Sequence, residues 1–353
     1  MSGERDAAAG PAVSVVIIFC NEERFLGEAV DSVLAQTVDD WELLLVDDGS
    51  TDASTAMARD LAAADPERIR YLEHPGHAQR GMSASRNLGV GAATGRYIAY
   101  LDADDRWLDV KLERQLGLLA HHPEARLVYG PLQRWYSWTD RPEDQGRDDL
   151  YGLDGHRFRL EPHTLLTPPR LATLLIEHKD LVPSGALFER ALFLEVGGAE
   201  DRFTDNYEDA VVFLKMGLRA TAYVADRSWY LYRQYPDPDD RLARAVGRPD
   251  ADRLRGDAAR AVFLDWAEGH LRHEGRWDPT MRRAVTRARS QLTTGSRPMA
   301  RARRGLDLAT QATGSALRAG RLAAHHGRLT ATGRLRRVAI DNICDEFAFS
   351  LAP

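Results

Sequence analysis

Lysine is almost missing from this chain: Lys111, Lys179 and Lys215 stand among 47 basic residues, and the rest are arginine. A GC-rich genome produces that skew, so arginine richness alone is weak ground for an acidic partner. Cysteine is just as scarce. Cys20 and Cys344 lie far apart and fit neither a disulfide framework nor a metal-ligand pair, so both are expected as reduced, packed thiols. No run reaches the roughly 18 to 20 uninterrupted apolar residues of a membrane-crossing helix, and the N-terminal MSGERDAAAGPA lacks the apolar centre of a signal peptide. The expected location is the cytoplasm.

The 353 residues, 44% hydrophobic and 28% charged, have an ordinary globular balance, enough for one large domain and an appendage. The net charge of -6 is unevenly spread. Residues 281–340 hold fourteen Arg against one acid, Asp307, or about +13, which leaves the remainder near -19. An acidic body carries a basic tail.

Residues 1–12 are small and polar and are expected to be disordered. The continuous β-branched run Val13-Ser14-Val15-Val16-Ile17-Ile18-Phe19 reads as a strand covered on both faces. Phe25, Leu26, Ala29, Val30, Val33 and Leu34 then recur at helical spacing. Trp41 to Val46 gives a second strand, residues 51–64 a second helix, residues 69–72 a third strand and residues 83–92 a third helix. Repeated β-then-α units imply a mostly parallel sheet flanked by helices. Residues 131–169, rich in aromatics and prolines, read as a long substrate-facing insertion. Regular structure resumes with a helix at 170–178 and a strand near 184–188, then a helix ending at Gly197-Gly198 and another after Glu208-Asp209. One or two short strands over 221–233 and a breaker at 235–240 precede helices from about residue 250. The expected domains are a catalytic α/β unit over 13–240 and an all-helical, Arg-rich region over 241–353.

Chemistry concentrates where strands end. The apolar run Tyr97 to Leu101 closes in Asp102, Asp104 and Asp105, and Asp-x-Asp spacing lets one carboxylate reach a sugar hydroxyl while the other meets a divalent cation. Helix capping or turn chemistry is the plainer alternative. Asp105 is expected to begin the next helix. Asp47-Asp48-Gly49-Ser50-Thr51-Asp52 also ends a strand, where a carboxylate can accept from a nucleobase imide or simply hold a turn. Ser85-Arg86-Asn87 offers a guanidinium to phosphate, or else to a surface ion pair. Glu208-Asp209 at a helix start favours ionised carboxylates, as a general base needs and as routine helix stabilisation also gives. Tyr232-Arg233-Gln234 lies on a strand or its exit, where Arg233 could face phosphates.

In this order and spacing the segments resemble the inverting family-2 glycosyltransferases of the GT-A fold, whose donors are nucleotide sugars. The resemblance is carried by Val13 to Asn21-Glu22, Ser32 to Thr37, Val46 to Asp52, Ala84 to Gly89, Ala93 to Asp105, Val196-Gly197-Gly198, Glu208-Asp209 and Tyr232-Arg233, across about residues 13–235. It implies a Rossmann-like sheet and a UDP- or dTDP-type donor. Phe19, Asn21 and Glu22 would floor the nucleotide, Asp48 would contact its base, and Arg86 would lie beside it. In Asp102-Ala103-Asp104, Asp102 would face ribose or sugar and Asp104 would hold Mn2+ or Mg2+. Asp209 would be the catalytic base, with Glu208 orienting acceptor or donor.

Two departures stand out. Many relatives place a metal-binding His after the Tyr-Arg-Gln-like strand, but Tyr235 and Pro236 follow Gln234 here, which leaves Asp104 as the expected sole protein ligand. The Gln-x-x-Arg-Trp signature of processive synthases is also absent, which favours transfer of one sugar or a few. The acceptor stays open among glycan, lipid-linked glycan, peptide and natural product. A glycosyltransferase-like protein that binds a nucleotide sugar or partner without transfer is the alternative. A nucleotidyltransferase would show a Gly-rich loop where Phe19-Cys20-Asn21-Glu22-Glu23 stands. The basic tail is a candidate for peripheral contact with anionic lipid, against the plainer reading of a solvated helical face. Nucleic-acid binding lacks an aromatic platform.

Overall fold

The computed structural model describes residues 10–151, 160–178, 185–204, 206–235 and 257–294. Several expectations therefore fall outside the described residues: those for residues 1–9, Asp205, the breaker from Pro236, Cys344 and the basic tail beyond residue 294. Chain contacts define two units, Met1–Leu292 and Thr293–Pro353, and nearly all described residues belong to the first.

The strands in chain order are β1 (Val13–Phe19), β2 (Trp41–Asp47), β3 (Ile69–Glu73), β4 (Tyr97–Tyr100), β5 (Arg106–Trp107), β6 (Ala125–Tyr129) and β7 (Leu132–Trp135). They continue with β8 (Asp149–Tyr151), β9 (Thr164–Leu166), β10 (Leu187–Glu189), β11 (Thr221–Val224) and β12 (Tyr230–Arg233). The helices are α1 (Leu26–Leu34), α2 (Ser54–Ala64), α3 (Met82–Ala92), α4 (Lys111–His121), α5 (Arg170–Glu177), α6 (Arg190–Glu195), α7 (Glu208–Gly217), α8 (Asp257–His273) and α9 (Pro279–Thr294).

All seven residues of β1 and of β2 are buried, which is why both read as unbroken apolar runs rather than alternations. Among the described residues, eight strands form the main sheet in the order β3-β2-β1-β4-β10-β6-β11-β9. Strands β3, β2, β1 and β4 are mutually parallel, β10 runs antiparallel between β4 and β6, and β9 is antiparallel to β11. The sheet is thus mixed and mostly parallel, as expected. Successive side chains of a strand serve opposite faces. Val16, Ile18, Leu44, Val46 and Tyr100 join one core with α5, α7, α8 and α9, whereas Val15, Ile17, Leu43, Leu45 and Leu101 join the other with α1 and α4. Helix α3 lies so close to the sheet that a Cβ on Gly89 would stand 2.5 Å from Val16 Cγ1.

Three expectations are corrected. Pro11 and Ala12 are not part of a loose tail: their carbonyls accept from the amides of Arg96 and Tyr97, extending the β1–β4 pairing. The segment 131–169, expected as a long substrate-facing insertion without regular elements, carries strands: β7 and β8 combine with β5 and β12 into a second, four-stranded sheet and β9 edges the main one. Residues 152–159 of that segment lie outside the described residues. Asp105 does not begin a helix; it leads into β5, and α4 starts only at Lys111.

Candidate active site

Because β2, β1 and β4 are adjacent and parallel, their carboxyl ends bring residues 48–52, 20–22 and 101–105 to one edge of the sheet, where open α/β sheets bind ligands. The first two loops are sewn together. Asn21, with φ +58°, accepts at Oδ1 from the amides of Thr51 at 2.7 Å and Asp52 at 3.3 Å, and its own amide donates to Ser50 Oγ at 3.1 Å. The buried Glu22 donates its amide to Ser54 Oγ at 2.8 Å. Phe19 is buried at the strand end, and its carbonyl accepts from the Asp48 amide at 2.8 Å.

The paired aspartates after β2 divide their work. Asp47, fully buried, accepts from the Ser50 amide at 2.8 Å and the Thr55 hydroxyl at 2.5 Å, which holds the turn. Asp48 accepts at Oδ1 from the Arg80 amide at 2.7 Å and the Ser85 hydroxyl at 3.0 Å, and at Oδ2 from the Gly81 amide at 3.0 Å. Each carboxylate oxygen offers two lone pairs, so Asp48 anchors residues 80–85 and keeps acceptor capacity on Oδ2.

Arg86, on α3, is the electrostatic hub. It is 3% exposed, donates through Nη1 to Glu208 and through Nη2 to Asp102 at 3.2 Å, and lies 4.8 Å from the Tyr100 ring centroid. The end of β4 and the start of α7 are joined by this one side chain. Burial pushes the Glu208 carboxyl well above its usual range and raises Asp102 and Asp209, while the Arg86 charge opposes the rise in all three. Burial works against the Arg86 charge, but Glu208, Asp102 and Asp209 outweigh it and hold the guanidinium protonated. Asp209 sits in the first turn of α7, where its Oδ1 accepts from the Ala210 amide at 2.6 Å. The sequence placed Arg86 beside a nucleotide; its bonds here go to the acids that surround it.

Beyond Asp102, the side chains diverge. Ala103 is buried in the core layer that holds Trp107. Asp104 Oδ2 accepts from the Tyr235 hydroxyl at 3.0 Å. Asp105 is wholly buried and accepts from the Tyr230 hydroxyl at 2.8 Å and the Arg233 amide at 2.7 Å, with burial pushing its carboxyl well up. It therefore ties the acidic loop to the second sheet. Arg233 is 3% exposed and donates to the Asp104 carbonyl at 2.6 Å and to Glu28 at 2.9 Å, boxed by Phe25 at 4.2 Å, Trp135 at 4.6 Å and Trp138 at 4.8 Å. It holds the backbone of Asp104 rather than standing free for a phosphate.

Among the described residues, no cluster of three or more His, Cys, Asp or Glu side chains forms a metal cage. Mg2+ and cations like it usually keep waters and bind through one or two carboxylates plus substrate phosphates, and the half-buried Asp102 and Asp104 at a strand end fit that mode. The parts that sequence reasoning missed are Asp105, Tyr230 and Tyr235 on Asp104; only the pairing of β5 with β12 makes them neighbours.

Residues 14–197 match the profile of glycosyl transferase family 2. The chain belongs to that family. An uncharacterized glycosyltransferase of Haemophilus influenzae is 36% identical over 182 residues, 48% of this chain and 69% of that protein. An uncharacterized glycosyltransferase of Nostoc is 43% identical over 102 residues, 29% of this chain and 31% of the relative. The chain spans between 26% and 42% of the length of three such relatives. In fold it is similar to S. aureus TarS 1-349 in complex with UDP-GlcNAc, at TM-score 0.51 and 19% identity, covering 79% of this chain and 80% of that one. The same protein in complex with UDP gives TM-score 0.50 at 20% identity, covering 74% and 73%. These likenesses establish the GT-A architecture. Among the described residues no helix is long and apolar enough to cross a membrane.

Proposed function

We propose that this family-2 chain moves a single sugar from a UDP- or dTDP-linked donor to a hydroxyl acceptor with inversion at the anomeric carbon. The observation that carries the reading is the convergence of Asp102 with Glu208 and Asp209 around the buried Arg86, beside Asp104 at the same sheet edge. Phe19, Asn21, Glu22 and Asp48 would form the nucleotide's floor, a stitched and therefore preorganised surface. A cation such as Mn2+ or Mg2+, held by Asp104 with Asp102 beside it, would neutralise the diphosphate as it leaves.

Asp209 is the residue suited to take the acceptor proton. Burial lifts its carboxyl from the ordinary range toward working pH, while Arg86 and the start of α7 keep the ionised form accessible. Glu208, pinned to Arg86, orients the neighbouring groups, and Arg86 acts on the donor through Asp102 rather than by contact. Direct displacement needs no covalent nucleophile.

UDP and UDP-GlcNAc, bound by the S. aureus neighbour, are the first probes. A panel of UDP-, dTDP- and GDP-sugars with Mn2+ should give thermal stabilisation with at least one donor and release of its nucleoside diphosphate. Asp209→Asn should retain donor binding and lose about 100- to 10,000-fold in rate, the usual worth of a general base. Asp104→Ala should weaken Mn2+-dependent UDP binding. Calorimetry that finds no nucleoside diphosphate binding ends the donor assignment, and a fully active Asp209→Asn removes the base. Binding without release would support the non-catalytic alternative.

A further inference from the structure

Immediately ahead of Glu208 and Asp209 the backbone takes a conformation that bulky side chains avoid. Tyr207 has φ +64° and ψ +9°, in the left-handed region, which is strained for a non-glycine residue and persists only where the surroundings over-determine it. Those surroundings come from α8. The Tyr207 ring lies nearly parallel to that of Phe263, with 5.1 Å between centroids and 20° between planes. Arg260, one turn earlier, lies 5.5 Å from the Tyr207 ring and 5.1 Å from the Phe263 ring. Phe263 is wholly buried and Arg260 is 4% exposed. Arg260 donates to the carbonyls of Leu175, at 3.3 Å, and Ile176 in the last turn of α5, so the stack is fixed to the body of the molecule.

The other end of the same segment is held as well. Trp266, one turn further along α8, meets Phe203 edge to face at 5.8 Å. The Ser83 hydroxyl donates to the Phe203 carbonyl at 2.6 Å, and the Met82 amide to the Thr204 carbonyl at 3.0 Å. Residues 260, 263 and 266 recur every third position on one face of α8, so a single helix beyond the family-matched residues 14–197 grips both sides of the turn that leads into α7.

We propose that Phe263 and Arg260 are positioning residues for Asp209. Their stack holds Tyr207 in its left-handed turn, and that turn sets the direction in which α7 delivers Glu208 to Arg86 and Asp209 to the reacting edge. The inference rests on the reading of Asp209 as base. It assigns α8 a part in the reaction although none of its residues needs to touch a substrate.

The test uses the full chain with Phe263→Ala, Phe263→Tyr and the double variant Phe263→Ala/Tyr207→Gly. Three quantities are measured: UDP affinity with Mn2+ by calorimetry, kcat for nucleoside diphosphate release from the donor found by the panel, and hydrogen exchange at the amides of residues 208–211. Phe263→Ala should leave UDP affinity within about twofold, since the nucleotide's floor is untouched, and lower kcat by about 10- to 100-fold through misplacement of the base. Exchange at 208–211 should rise. Phe263→Tyr should keep the stack and restore kcat. Glycine adopts positive φ without penalty, so Tyr207→Gly in the Phe263→Ala background should recover a substantial part of both kcat and protection.

Full kcat in Phe263→Ala overturns the proposal. So does loss of UDP affinity together with kcat and no recovery by glycine, which would mean that α8 merely supports the fold. If the unmodified chain releases nothing from any sugar nucleotide, the enzymatic reading fails separately. The brace is then judged by exchange alone, and unchanged protection of 208–211 in Phe263→Ala refutes it.

Discussion

Replacing Arg86 with methionine keeps much of the side-chain volume and removes the charge that Glu208 and Asp102 share. Glu208 is the partner that suffers. Its side chain is 4% exposed, so the carboxylate would be left buried and uncompensated, at a cost of about 3–5 kcal/mol. Asp102, 24% exposed, can turn toward water and adds less. At about 2–4 °C per kcal/mol for a body of this size, the melting temperature should fall by about 6–20 °C. The loss should depend on pH in a definite sense. Glu208 already has a folded pKa above its ordinary value, so between the two values the native state binds more protons than the unfolded chain, and the group's contribution is complete below the unfolded pKa and lost as pH rises through the folded one. Without Arg86 that pKa climbs further, so calorimetric scans should show a larger deficit at pH 8 than at pH 5. Arg86→Met/Glu208→Leu should recover most of the loss, because an apolar pair can replace a buried ion pair without penalty. A shift below about 3 °C, an equal deficit at both pH values, or no recovery in the double variant would refute the hub.

Lys111 is fully buried, with Nζ 4.2 Å from the Trp107 ring centroid and 2.6 Å from Gln115 Oε1, and burial pushes its ammonium down to about 7. The unfolded chain then binds more protons between pH 7 and the ordinary lysine value of 10.5, so stability rises with pH across that window. Lys111→Met should raise the melting temperature more at pH 6 than at pH 10, with an upper bound of about 5 kcal/mol at about 1.4 kcal/mol per unit; an equal change at both would count against this. Gly89→Ala places a Cβ 2.5 Å from Val16 Cγ1 and 3.1 Å from Val46 Cγ2. The overpacking should outweigh the helix-propensity gain and cost about 1–3 kcal/mol in denaturant titrations, and a more stable variant would contradict the close approach of α3 to the sheet. Tyr235→Phe removes the hydroxyl on Asp104 and should tighten Mn2+-dependent UDP binding about 3- to 10-fold, the worth of a hydrogen bond the cation no longer displaces. Weaker binding would instead make the phenol a contributor to the site.

What could be read from the sequence follows the range of the forces involved. Strands β1 and β2 are long, covered on both faces and therefore continuous apolar runs, so their ends and the acids that follow them were plain. The second sheet was not, because β5 has two residues and β12 four, too short for any period, and they meet across more than 120 positions. For the same reason Asp105 looked like a helix start, although its partners Tyr230 and Arg233 arrive from the far end of the domain. The acids Asp102, Glu208 and Asp209 are each visible in the sequence, but it leaves Arg86 open between a phosphate and an ion pair, because it does not show that these acids surround it. The left-handed Tyr207 left no trace at all; only glycine announces such a turn.

The stitching of the first two loops sets where adaptation to a ligand can occur. With Asn21 bridging to Thr51 and Asp52, Glu22 to Ser54 and Phe19 to Asp48, the floor behaves as one stiff plate, and deforming either loop breaks several bonds at once. A ligand therefore meets a surface that is already in place, and its fit there is decided by the ligand's own shape rather than by movement of these two loops. Two donors that share a base and differ in sugar should leave the same imprint on the plate.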